Sequence, residues 1–173
     1  REAICAANNT EEGAPHTINF AIGSGVQTIQ LADSLPEITQ PMTINGASQP
    51  GFSGSPLIVL DGTGLVFSCL AIVAGSTTIR SLVFQNCSGY ALVLSGNGSN
   101  TIQGSYFGVD PSGSLARGNH LGILVTWSCS NNQIGGAAPG EGNLISGNLT
   151  SGVDIDGDNN RLQGNRIGTD AAG

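Results

Sequence analysis

The chain has 173 residues, a formal net charge of −7 and only five Lys and Arg against twelve Asp and Glu. Phosphate backbones are bound by clustered cations, so the balance argues against nucleic acid, and equally against docking on anionic lipid. Charged residues make up 10%, apolar residues 39%, and there are 27 glycines; such a chain buries a core but depends on turns more than on salt-bridged helices.

Residues 1–9, REAICAANN, read as a short helix with Ile4 and Ala7 on one face and Asn8-Asn9 ending it. Strands are expected at 17–20, 28–31, 42–44 and 57–60. Together they suggest two or three irregular coils over 17–67. From residue 68 the pattern becomes regular. Segment 100–110, NTIQGSYFGVD, aligns with 160–170, NRLQGNRIGTD, and NQIGG and NLISGN lie between them. Internal similarity of this kind identifies a solenoid.

Four turns of the chain superimpose. The first strand of each carries Leu70 and Ile72, Leu92 and Leu94, Ile123 and Val125, then Val153 and Ile155. The second carries Ile79, Ile102, Ile134 and Leu162; the third carries Phe84, Phe107, Ile145 and Ile167. The step is 22 residues from Ile72 to Leu94, 31 to Val125 and 30 to Ile155. Outward loops such as 111–119 and 137–142 absorb the difference at little cost. Each strand is short and alternates with period two, as in Val153-Asp154-Ile155-Asp156, so it has to pair with its equivalent one turn away. A chain that always circulates the same way makes only parallel pairs, and their crossovers are right-handed. The fold expected is all-β: one right-handed parallel β-helix over 1–173, regular from 68 to 173, with the 1–9 helix capping the open first coil. A leucine-rich repeat lacks its LxxLxL signature here, and a β-sandwich leaves the aligned NxIxG units unexplained.

Gly96, Gly104, Gly108, Gly157, Gly164 and Gly168 follow strands, where positive φ is expected. Asn100, Asn132 and Asn160 fall at one corner, where stacked amides can hydrogen-bond each other and the turn backbone. Cys5, Cys69, Cys87 and Cys129 lack zinc spacing; two disulfides with three connectivities, or plain core packing, remain open.

The REAICAANN, TINFAI, TIQLADSLPEI and PMTINGAS segments resemble the CSLREA-type N-terminal region, from the REA of its name onward. The GNLISGN, GVDIDG and GNRIGTD elements resemble the parallel β-helix repeats that follow it in bacterial secreted and surface proteins. The resemblance covers nearly the whole chain. It implies a pectin-lyase-like fold and an extracellular or cell-surface location, and it names no activity.

A polysaccharide lyase on such a fold uses outward carboxylates for Ca²⁺ with an Arg or Lys as base. Asp154, Asp156 and Asp158, with Arg161 and Arg166 on the next faces, are the best acidic and basic candidates. The matching outward positions below offer Leu124, Thr126, Val93 and Ser95, so a solvated strand is the better reading. Asp154 and Asp156 as a glycosidase pair lack an aromatic to seat a sugar. Asp110 and Asp170 recur in GVD and GTD turns, where a carboxylate accepts turn amides. His16 and His120 are isolated, Trp127 and Tyr90 offer at most one sugar platform, and the sequons at Asn86, Asn97 and Asn148 fit chance in so Asn-rich a chain. No catalytic, metal or cofactor residue is therefore assigned, and no apolar run is long enough to span a membrane. The sequence reads first as a non-catalytic extracellular structural or adhesive protein. It is expected to associate through its open ends into fibres, or to continue in a longer chain, because no closing segment follows Asp170. A carbohydrate-active enzyme or glycan-binding module is the alternative.

Overall fold

The computed structural model describes residues 1–10, 16–64 and 68–173. The boundary expected at residue 67 lies outside the described residues. Helix α1 (Glu2–Asn8) comes first and, among the described residues, is followed by strands only, apart from one 3-10 turn at Gly46–Ser48. The first coil holds β1 (His16–Asn19) and β2 (Gln27–Gln30). The second holds β3 (Met42–Asn45), β4 (Ile58–Asp61) and β5 (Leu70–Ile72). Next come β6 (Thr78–Arg80), β7 (Leu82–Gln85) and β8 (Tyr90–Leu94), then β9 (Thr101–Gln103), β10 (Tyr106–Phe107) and β11 (Leu121–Val125). The last two coils bring β12 (Gln133–Gly135), β13 (Leu144–Ile145) and β14 (Ser151–Ile155), then β15 (Arg161–Gln163) and β16 (Arg166–Ile167).

These strands form three sheets, ordered β1-β3-β6-β9-β12-β15, β2-β4-β7-β10-β13-β16 and β5-β8-β11-β14. Every strand-to-strand pairing is parallel. The chain is one parallel β-helix domain. The expected files are met residue by residue: Ile79 pairs with Ile102, Ile102 with Ile134, and Ile134 with Leu162. Phe84, Phe107, Ile145 and Ile167 form the second file, and the rings of Phe84 and Phe107 stack with centroids 4.9 Å apart. Ile72, Leu94, Val125 and Ile155 form the third. Together the files fill one apolar column.

Alternation does not put every outward residue in water. In the second sheet Val59, Val83 and Leu144 point away from the column by register, yet all are buried. Part of the cover comes from the 111–119 loop: a Cβ at Gly113 would lie 2.6 Å from Ala171 Cβ, 2.9 Å from Leu144 Cδ2 and 3.3 Å from Tyr106 Cε2. The glycine expectation also needs one correction. Gly96, Gly104, Gly108, Gly164 and Gly168 have positive φ, but Gly157 does not; a Cβ there would lie 2.2 Å from Cys129 O, so close backbone approach demands it.

Of the four cysteines, Cys69 and Cys87 form a disulfide with Cα atoms 5.9 Å apart. It joins successive coils just before β5 and β8, which pair with each other. Gly62 leaves room for it, since a Cβ there would lie 2.6 Å from Cys69 Sγ. Cys5 is an exposed thiol and Cys129 a buried one. Burial pushes the Cys129 thiol up, against hydrogen bonds with Asn132 and Asn100.

The corners are held by side-chain ladders. Asn132 Oδ1 accepts from the main-chain N–H and Nδ2 of Asn100, both at 3.0 Å, and Asn160 Oδ1 does the same for Asn132 at 2.9 and 2.8 Å. The expected Asn100, Asn132 and Asn160 ladder is real. Two more accompany it. Asn165 Oδ1 accepts from Asn143, and Asn143 Oδ1 from the Ser105 N–H. At the third corner Asn148 Oδ1 accepts from Asn119, and Asn119 Oδ1 from the Cys87 N–H. Each oxygen satisfies turn amides that the sheet ladders leave over.

Candidate functional site

The side walls place the sequence candidates apart. Asp154 is exposed on β14, but the register beneath it runs Leu124, Val93, Ala71. A site built across neighbouring coils needs further carboxylates in that file, and the file is apolar. Asp156 and Asp158 are exposed in the turn after β14, and Arg161 is exposed on β15. Among the described residues no three His, Cys, Asp or Glu side chains converge to hold a metal. Asp110 Oδ1 accepts from Ser112 Oγ at 2.7 Å and from the amides of Leu115 and Ser114 at 3.1 and 3.3 Å. Burial pushes this carboxyl up, but those donors outweigh it and hold it below the ordinary range. Asp170 Oδ1 accepts from the Ala172 and Gly173 amides in the equivalent turn. Both carboxylates thus organise their own turns.

His16 meets Thr10 Oγ1 through Nε2, and the main-chain oxygen of His120 accepts from Thr150. Trp127 is 80% exposed on the turn after β11, and Tyr90 lies at the start of β8, a different corner. The amide of Asn86 donates to Asp61 and that of Asn148 belongs to a corner ladder, so two of the three sequon side chains are already engaged; Asn97 is exposed.

Two features were not read from the sequence. One is a polar hub at Asp61. Its carboxylate accepts from Thr63 N at 2.9 Å, Thr63 Oγ1 at 2.6 Å, Gln85 Nε2 at 2.8 Å and Asn86 Nδ2 at 3.2 Å. Burial raises this carboxyl, and the donors more than offset it, leaving it below its ordinary value. The other is a groove of about 370 Å³ on the second sheet, floored by Tyr106 and Leu144, walled by the glycine-rich 136–142 loop, with Arg166 at one end. The sequence signal for it was Tyr106, an outward aromatic beside the inward Phe107. The Arg166 guanidinium donates to Ala171 O.

The last coil is the remaining candidate. Ile134 and Ile145 are 0% and 1% exposed, while Leu162 and Ile167, next in the same files, are 40% and 51% exposed. β14, β15 and β16 each end their sheet, so each carries one unpaired edge beside this apolar surface. No family model, curated protein or solved structure matches the chain.

Proposed function

We propose that the chain is a non-catalytic structural or adhesive β-helix that works outside the cytoplasm and joins a further β-coil end to end through its last coil. The observation that carries this reading is the side walls: three parallel sheets wrap one apolar column, and the file beneath the exposed Asp154 is apolar, so a further coil would add by the pairing already repeated along the stack. Covering an apolar side chain such as Leu162 or Ile167 would stabilise an assembly by roughly 1–3 kcal/mol. The Cys69–Cys87 disulfide supports an oxidising setting. The CSLREA-type resemblance points to the same location. Repetition into a fibre asks more, since α1 lies over the first coil and has to leave before a copy docks there.

The test is direct. Sedimentation velocity and electron microscopy of the purified chain, alone and with a peptide of residues 149–173, should reveal association of the end face with a copy or with the peptide. Leu162→Lys with Ile167→Lys should abolish it while leaving the fold intact, as both side chains are already exposed. A chain that neither self-associates nor takes up the peptide overturns the reading. A glycan-binding wall is the second reading, favoured by Tyr106 and Arg166 in the groove; glycan-array binding lost in Tyr106→Ala but kept in the lysine double variant would replace the first.

A further inference from the structure

The corner between the third and first sheets is built from three stacked turns, 95–99, 126–131 and 156–159. They start in register, after Leu94, Val125 and Ile155, and finish in register, at Asn100, Asn132 and Asn160. The middle turn is the longest of the three, so its extra length has to leave the stack outward. Trp127 lies in that excess and, at 80%, is the most exposed large apolar side chain among the described residues.

That exposure owes nothing to where the stack stops, because a turn is packed on either side. On one side the Gly96 N–H donates to Ser128 Oγ at 3.3 Å and the Ser99 N–H to Ser130 O at 3.0 Å. On the other the Asn131 N–H donates to Asp158 O at 3.0 Å and the Asp158 N–H to Ser130 Oγ at 3.1 Å. The buried Cys129 anchors the turn from inside, its thiol donating to Asn97 O. The indole therefore stands uncovered on a tied pedestal, and so little of it is buried that packing does not explain it. The two flanking turns differ in charge. Residues 95–99 are Ser-Gly-Asn-Gly-Ser, small and uncharged, whereas 156–159 are Asp-Gly-Asp-Asn. Gly157 seats the acidic turn directly on the Trp127 turn, since a Cβ there would lie 2.2 Å from Cys129 O and 2.9 Å from Thr126 O. Asp156 and Asp158, both exposed, bracket that contact, Asp156 beside Thr126 and Asp158 beside Ser130.

We propose that this corner docks a basic segment of a partner protein, with an arginine or lysine side chain lying over the Trp127 ring and its charge met by Asp156 and Asp158. The face of an indole attracts cations through its ring quadrupole, and two carboxylates beside it add attraction of the same sign. Arginine suits the ring best, because its planar guanidinium stacks on aromatic faces. A rigid pedestal means that little ordering is lost when the partner arrives. A second copy is a poor occupant, since each chain carries a net charge of −7 and repels another. A neutral sugar stacks on an indole too, but draws no long-range attraction from the carboxylates, and a uronate is repelled by them. The proposal does not depend on end joining.

Trp127 is the only tryptophan of the chain, so its fluorescence reports on this corner directly. A tetra-arginine peptide, which has no aromatic residue, should change the emission of the full chain saturably, and less readily as salt is raised. Tetraglutamate and a cello-oligosaccharide should not. Asp156→Asn with Asp158→Asn should weaken the peptide about three- to tenfold, the loss of two exposed charge pairs. Trp127→Ala, followed by the anisotropy of a labelled peptide, should weaken it by about threefold or more. All three positions are exposed, and circular dichroism checks that the fold is kept. Emission that stays unchanged at millimolar peptide, responds equally to tetraglutamate, or ignores the aspartate variants overturns the proposal. So does a cello-oligosaccharide that binds more tightly than the peptide, which makes the corner a sugar platform, or choline that binds as tightly, which places a small quaternary ammonium there. None of these outcomes bears on end joining.

Discussion

Ile4, in the helix over the first coil, is 4% exposed, while Ile167, in the last, is 51% exposed, although both belong to the same apolar column by position. The difference lies in how each half is built. The N-terminal half uses devices that occur once: a helix laid on the first coil, the Asp61 hub, a disulfide between successive coils. The C-terminal half repeats one device, an asparagine at each corner. A solenoid gains its stability from neighbour contacts, so each repeat of that device depends on the coil on either side of it.

The largest expected effect separates interior from edge within one file. Ile134→Ala should cost about 2–5 kcal/mol, because the cavity is sealed by coils on both sides. Leu162→Ala, one strand on, should cost less than about 1 kcal/mol, because water already reaches it. Ile4→Ala should behave like the interior and cost about 2 kcal/mol or more. Urea unfolding of the three variants decides it. Equal costs at Ile134 and Leu162 would mean that the last coil is covered, and a negligible cost at Ile4 would mean that the helix does not seal the first.

The ladders give a smaller contrast of the same sign. Asn132→Ala strands the buried main-chain N–H of Asn100 and takes one of two bonds from its side-chain amide, which keeps Asn97 O; this should cost about 1–3 kcal/mol. Asn160→Ala removes the same two bonds from Asn132, but water can replace them at the open end, so less than about 1 kcal/mol is expected. Thermal or urea unfolding measures both. A docked coil that shuts out that water should raise the Asn160→Ala cost toward the Asn132→Ala value.

The column and its register were legible because period-two alternation is a local signal. Ile72, Leu94, Val125 and Ile155 announce themselves through their immediate neighbours, and variable loops between them do not blur the pattern. The Asn100, Asn132 and Asn160 ladder was legible because each asparagine begins the same short strand motif. The other two ladders were hidden, as Ser105 and Cys87 occupy their first positions; the signal available was the Gly-Asn pair recurring at Gly118-Asn119, Gly142-Asn143, Gly147-Asn148 and Gly164-Asn165. The burial of Leu144 on the outer face was not legible, because part of its cover comes from the 111–119 loop, distant in sequence. The disulfide was underdetermined: four cysteines allow several pairings, and only the stacking of β5 on β8 brings Cys69 to Cys87.

The smallest effect concerns acid, and it should touch only the half built from single devices. The Asp61 carboxyl lies below its ordinary value in the folded chain because donors from Thr63, Gln85 and Asn86 outweigh the burial that raises it. A depressed carboxyl contributes its stabilisation fully above the unfolded value, about 3.9, and loses it as pH falls through the lower folded value. The amide ladders hold no carboxylate, and the Cys129 thiol that bonds Asn100 and Asn132 is protonated throughout the acid range because burial raises it, so they should not respond. Amide exchange, referenced to the intrinsic rate at each pH, should therefore lose protection around Gly62 and Thr63 in strong acid, by about 1 kcal/mol at most given the hub's access to solvent, while the Asn100 and Asn132 amides hold. Asp61→Asn should lower protection at Gly62 and Thr63 at neutral pH and remove its acid dependence. Parallel loss at both places would show instead that the two halves open as one cooperative unit, and that the contrast between them governs assembly rather than stability.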